Sequence, residues 1–225
     1  NRAVAGNPLH TNWKISSAGE TITLTDVASA TVSSAPAAAL PQNVSYGHLP
    51  NGTGAFVFLS PVTPGAANSG PGFSEVLPAP TFSHDSGFLT AGFNLAITTA
   101  VPGASIIYTL DGSEPKSTNL AGTTYQYKNK YPFAPGQLTG PLFNQTFTTL
   151  AYNTPIAIAD RSALPNKIAN ISTTYDFIPT YIPTSPIFKG TVVRAKVVKP
   201  GALESPTVNR TFYISPQGAS RFGLP

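Results

Sequence analysis

The chain of 225 residues has no cysteine and no methionine, and only 10% of its residues are charged. Without cysteine there is no disulfide framework, no thiolate zinc site and no cysteine nucleophile within these residues. Without methionine at position 1, the chain is expected to begin after processing or truncation. No apolar run approaches the length of a membrane span and no signal-peptide pattern is present, so any anchor would lie outside these residues. Long helices are excluded too, because 19 glycines and 23 prolines interrupt the chain too often. The shortage of oxidisable sulfur, with a surface rich in Thr, Ser, Asn and Gly, favours an exported protein.

Between the breaks lie Thr, Val, Ile, Tyr and Phe, whose side chains suit a pleated, half-buried surface, so the class is all-β. The length is enough for a sizeable core and fits two β-domains. The formal net charge of +4 is mild, and the basic residues cluster only at Lys189, Arg194, Lys196 and Lys199. Arg194 and Lys196, two apart on a Val-rich strand, share a face. They read as a solvated face that discourages edge pairing, or else as a stripe for phosphate or acidic glycan. No aromatic RNA platform or groove-reading helix accompanies them, so nucleic acid is not an expected partner.

The strongest local signal is Ile106-Ile107-Tyr108-Thr109-Leu110-Asp111-Gly112-Ser113-Glu114-Pro115. Alternation puts Ile106, Tyr108 and Leu110 on one face, and Asp-Gly then supplies the backbone of a tight reversal. Earlier in the chain, Trp13 and Ile15 alternate, residues 21–25 alternate again and stop at Asp26, and 27–32 follow. An Ala/Pro bend covers 35–41, and strands are expected at 44–47 and 55–59 around a turn at Asn51 and Gly52. Residues 69–79 have the composition of a semi-rigid linker. Further strands are expected at 80–83, 87–90, 191–198 and 205–214, and at 93–98 with Phe93, Leu95 and Ile97 inward. A long Pro/Tyr/Asn-rich insertion runs from about 123 to 189. Within it, 142–150 and 156–159 read as β, with Phe143 and Phe147 on one face, and a short helical turn is expected after Asp160.

Leu9-His10-Thr11-Asn12-Trp13-Lys14-Ile15-Ser16, Gly19-Glu20-Thr21-Ile22-Thr23-Leu24-Thr25-Asp26, Val44-Ser45-Tyr46-Gly47 and Thr63-Pro64-Gly65-Ala66-Ala67-Asn68 together resemble the second half of a bacterial lamin-tail domain. That family is an immunoglobulin-like β-sandwich, and its opening strands have no counterpart before Asn1. The resemblance therefore implies an incomplete sandwich over 1–68, completed by a neighbouring domain or subunit. Pro80-Thr81-Phe82-Ser83, the block from Ile107 to Pro115, Val193-Arg194-Ala195-Lys196 and Thr211-Phe212-Tyr213-Ile214 resemble the C-terminal domain of chitobiase and β-hexosaminidase. This implies a fibronectin type III-like sandwich over 80–215. The pairing of the two, followed by Ser220-Arg221-Phe222-Gly223-Leu224-Pro225, resembles the region in front of a CotH-like kinase domain in exported bacterial proteins, with 216–225 as the entry to that domain.

No catalytic, cofactor or metal constellation is expected. His10, His48 and His84 lie beside turn signals without ligand spacing. Asp111, Ser113 and Glu114 could serve calcium, but the turn explains them. No Gly-x-Ser-x-Gly elbow is present, and the nine acids are mostly isolated. Tyr125, Tyr127, Tyr131, Phe133, Tyr175, Phe177 and Tyr181 in the insertion either pin it to the sandwich or stack on sugar faces. The sequons at Asn43, Asn51, Asn144, Asn170 and Asn209 only modestly exceed chance. The candidate partner contacts are thus Tyr125, Tyr127, Tyr131, Tyr175, Tyr181, Arg194 and Lys196.

The functional expectation is a pair of non-catalytic structural and interaction modules from an exported bacterial surface or extracellular assembly protein, joined by strand exchange. Two alternatives remain: the accessory front of a CotH-like kinase, and a carbohydrate-binding accessory module. Expected partners are the domains or subunits that supply missing strands, with glycan a further candidate.

Overall fold

The computed structural model describes residues 14–128, 142–166 and 187–215. The readings at His10, Trp13, Tyr131, Phe133, Asn170, Tyr175, Phe177, Tyr181 and 216–225 lie outside the described residues. The chain forms two compact units, one comprising 1–76 with 201–203, the other 77–200 with 204–225.

In the first unit, β1 (Ile22–Thr25) and β2 (Thr31–Ala35) form an antiparallel hairpin with a register shift between Leu24 and Thr25. The turn is built by Asp26, whose Oδ1 accepts from the N–H groups of Ala28 (2.9 Å) and Ala30 (2.8 Å). These bonds fix residues 27–30 in the turn, so the second strand starts at Thr31 and not, as the apolar pattern implied, at Val27. β3 (Ser45–Leu49), β4 (Ala55–Leu59) and β5 (Gly72–Phe73) form a three-stranded sheet in that order. Tyr46 and His48 oppose Phe58 and Phe56 across one face, giving a row of ring contacts of 3.9–5.4 Å. Asn68 ties the end of this sheet by donating from Nδ2 to the His48 carbonyl (2.9 Å). β5 and the neighbouring Ser74 and Glu75 lie within the stretch that reads as a linker. Ser74 N–H donates to the Gly201 carbonyl and Leu203 N–H to that of Glu75, each at 2.9 Å.

The second unit is a β-sandwich. Its strands are β6 (Thr81–Phe82), β7 (Gly87–Leu89), β8 (Phe93–Leu95), β9 (Ile97–Thr98), β10 (Ser105–Thr109), β11 (Thr123–Lys128), β12 (Leu142–Phe147), β13 (Leu150–Ala151), β14 (Ile156–Ile158), β15 (Thr191–Val198) and β16 (Val208–Ile214). One layer is a five-stranded sheet ordered β13-β10-β15-β16-β7, antiparallel except where β7 runs parallel to β16. Pairs β14-β8 and β6-β9 supply the opposite layer. β15 alternates strictly: Thr191, Val193, Ala195 and Val197 are buried, while Val192, Arg194, Lys196 and Val198 are half-exposed. Register places Ile106 against Val197, Tyr108 against Ala195 and Thr191 against Phe212, so these residues share the inner face. Phe212 meets Phe93 of the other layer edge to face at 5.2 Å.

The stretch 93–98 is divided between two partners. Between them, Ser83 donates from its N–H to the Ala96 carbonyl and accepts from the Ala96 N–H through Oγ, each at 2.9 Å, while β8 pairs with β14 and β9 with β6. Inside the segment read as an insertion, β13 pairs with β10 and β14 with β8, so both are strands of the sandwich. β11 and β12 form a separate two-stranded ribbon. After Asp160 there is a turn, not a helix: Oδ1 accepts from the N–H of Ser162 (2.8 Å), and Pro165 follows too soon for a helix to extend. A short 3-10 helix, η1 (Ser117–Asn119), lies elsewhere, after the Asp-Gly turn.

Tyr152 connects the layers of the sandwich. Its N–H donates to Ile106 of the five-stranded sheet (2.9 Å), and its phenolic oxygen accepts from the N–H of Ile97 (3.0 Å). Its ring stands edge-on to Tyr108 at 6.2 Å. Burial, then the neighbouring Tyr152, pushes the Tyr108 phenol above its ordinary pKa.

Candidate functional site

The turn after β10 organises the polar surface of the second unit. Thr109, fully buried, donates from Oγ1 to the Ser113 carbonyl at 2.6 Å. Asp111 accepts from the N–H of Ser113 through Oδ1 (2.9 Å) and from that of Thr148 through Oδ2 (2.8 Å), an Asx turn tied to the following ribbon. Gly112 supplies the left-handed backbone, with φ +83°. The carboxylate of Asp111 thus holds the turn.

Glu114 then points to the outer face of β15. One oxygen accepts from Nη2 of Arg194, and the other accepts from Oγ1 of Thr207 and lies 3.1 Å from Nζ of Lys196. Arg194 also donates from Nε to Oδ1 of Asn209 and from Nη1 to the Gly112 carbonyl, each at 2.9 Å. Lys196 reaches Oε2 of Glu204 at 3.2 Å. Burial alone would raise the Glu114 pKa. The hydrogen bonds from Thr207 and Lys196, with the charges of Lys196 and Arg194, outweigh it and hold the carboxyl below its ordinary value. Arg194 and Lys196 share a face, as their spacing implies, and both are engaged by acids of the same unit. Sequence reading missed the partners: Glu114 is 80 residues from Arg194, and no local spacing links them.

Beside this network lies an open groove of about 450 Å³, lined by Ser113, Glu114, Lys116, Thr118, Asn119, Thr123, Tyr125 and Phe147. It is set by the β11-β12 ribbon, whose register puts Tyr125 and Tyr127 on one face with Phe143 and Phe147. Tyr125 is 52% exposed. Tyr127 is half-buried. The rings of Tyr125 and Phe147 lie 5.8 Å apart at 67°, so they are not a coplanar platform. Lys116, Asn119 and Thr123 carry no signal in the sequence, because η1 brings them to the groove.

In the first unit the notable surface is the β1-β2 hairpin. All four residues of β1 are exposed, as are the first four of β2. Leu24 is 62% and Val32 64% exposed. His48 contacts the Gly54 carbonyl through Nδ1, and His84 in the second unit lies 2.9 Å from Oγ of Ser83.

The layered all-β unit, with Asp111 held in the turn after β10 and Glu114, Arg194 and Lys196 engaged on the outer face of β15, defines the class: a fibronectin-III-like β-sandwich domain. The family model described as "Fn3 associated" matches residues 95–212, more than half of the 225-residue chain, and the chain belongs to that family. An Fn3-associated domain is an accessory module, and such domains are often extracellular. Among the described residues, no helix is long and apolar enough to cross a membrane. No curated protein and no solved structure matches the chain.

Proposed function

We propose that the protein is a non-catalytic structural and interaction module of an exported bacterial surface or extracellular assembly, joined to a second copy by strand addition at the β1-β2 hairpin. The observation that carries this reading is the exposure of that hairpin. A two-stranded sheet in water is marginal on its own, and this one exposes Ile22, Leu24 and Val32. Natural edges are usually blunted by Lys, Pro or inward charges. Residues 21–35 contain none of these: Asp26 is their sole ionisable residue, and it is folded into the turn. On a chain of net charge +4, two strands without a charged side chain are also a place where two like-charged copies can meet with little repulsion.

A position in front of a CotH-like kinase would make the module the kinase's spacer, with the hairpin free for the same joint. Sedimentation equilibrium over a wide concentration range tests the proposal. The chain should associate reversibly, and Leu24→Lys should abolish association while circular dichroism stays unchanged. A wild-type chain that is monomeric throughout, or a Leu24→Lys variant that associates equally well, contradicts it.

A further inference from the structure

We propose that the groove beside Tyr125 is a subsite for a pyranose unit of a glycan. The Tyr125 ring supplies the apolar floor. Its neighbour Phe147 stands at 67° with ring centroids 5.8 Å apart, and an edge-to-face neighbour covers at most one face of the tyrosine. The 52% exposure of Tyr125 fits a ring with its other face in water. Phe147 thereby limits the tilt of the ring without stacking over it.

The walls supply hydrogen-bonding groups whose positions are already fixed. Asn119 donates from Nδ2 to the Phe147 carbonyl (3.0 Å), and its Oδ1 accepts from Oγ1 of Thr123 (2.8 Å). Its backbone is held as well, with its N–H on the Lys116 carbonyl (2.9 Å) and its own carbonyl accepting from Gly122 (3.2 Å) and Thr149 (3.1 Å). Amide and hydroxyl oxygens each carry two lone pairs, so Asn119 Oδ1 and Thr123 Oγ1 keep acceptor capacity towards the groove. Lys116 and Thr118 add exposed donors on the rim. The carboxylate of Glu114 is satisfied by Arg194, Lys196 and Thr207 and so presents little net charge to a ligand.

A pyranose has the complementary chemistry: an apolar C–H face that packs on a ring, and a rim of hydroxyls that both donate and accept. A planar aromatic ligand would satisfy the ring but leave the remaining acceptor sites of Asn119 Oδ1 and Thr123 Oγ1 and the rim donors unused. The volume of about 450 Å³ lies within the range of small-ligand sites. Because the groove is open, the sugar would be one residue of a longer chain bound along the surface.

Saturation-transfer NMR and titration calorimetry with cellohexaose, chitohexaose, mannohexaose and oligogalacturonate test the proposal. At least one should receive saturation at its ring protons and bind wild type. For that sugar, Tyr125→Ala should weaken binding about tenfold, Tyr125→Phe should retain it, and Thr123→Val should weaken it severalfold by removing one polar partner. Thr123→Val keeps the aromatic floor, so it reads the site even if Tyr125→Ala perturbs the ribbon. Absence of binding by all four oligosaccharides, or equal binding by wild type, Tyr125→Ala and Thr123→Val, overturns the assignment.

Discussion

Arg194 and Glu114 meet across 80 residues of sequence, the guanidinium of one donating through Nη2 to the carboxylate of the other. The pair joins the turn after β10 to the middle of β15, and Lys196 closes on the second carboxylate oxygen at 3.1 Å. Glu114 is therefore the point through which the turn is fastened to the sheet.

Its lowered pKa has a definite sign. A carboxyl that ionises more readily in the folded state than in the unfolded chain stabilises the fold at pH above the ordinary carboxylate range, and that contribution disappears as pH falls through its folded value. Glu114→Gln should remove about 1–2 kcal/mol at neutral pH, reduced from a buried pair because the carboxylate is partly in water. Urea denaturation at pH 7 and pH 3 checks this: the wild type should lose more stability than Glu114→Gln on acidification.

Tyr152→Phe should destabilise the second unit by about 1–3 kcal/mol, because it leaves the N–H of the buried Ile97 without its acceptor. The aromatic contacts should otherwise be unchanged. Thermal melts with near-ultraviolet circular dichroism would read both effects.

Gly190→Ala should cost about 1–2 kcal/mol by overpacking. A Cβ at this position would lie 2.8 Å from Cε1 of Tyr213, whose ring crosses directly over the glycine. That ring is hemmed in by Phe88, stacked at 4.9 Å, and by Phe188 at 5.4 Å, so it cannot swing away freely. A lower denaturation midpoint and altered tyrosine circular dichroism are the expected signs.

The all-β class, the Asp-Gly turn and the alternation of β15 were legible because each rests on local periodicity or turn chemistry, whereas in β10 the period-2 pattern did not show that Ile107 and Thr109, on the face opposite Ile106 and Tyr108, are buried as well. The inward set of Phe93, Leu95 and Ile97 was legible for the same reason, although the break at Ala96 was not: it depends on Ser83 in another strand. The Val27 pattern misled because four residues of hairpin turn, held by one Asp26 oxygen, sit among apolar side chains that remain exposed. β14 was legible from the alternation at 156–159 and β12 from that at 142–150, but their place was not: that β13 pairs with β10 and β14 with β8, making both strands of the sandwich and not of an insertion, depends on residues far away in the chain. At the candidate sites, aromatic identity pointed to Tyr125, but the groove around it depends on η1 and on contacts between distant segments. Arg194 and Lys196 were placed on one face correctly, while their acidic partners depended on the fold.

The central claim concerns the edges of the β1-β2 hairpin, and amide hydrogen exchange resolved to residues 22–35 tests it most directly. Spectra would be compared between dilute, dissociated chain and the associated species. The account predicts that edge-facing amides of β1 and β2, which exchange rapidly in the monomer, become strongly protected in the assembly, while β15 is protected equally in both. If those edge amides exchange as fast in the assembly as in the monomer, the hairpin is not the joint.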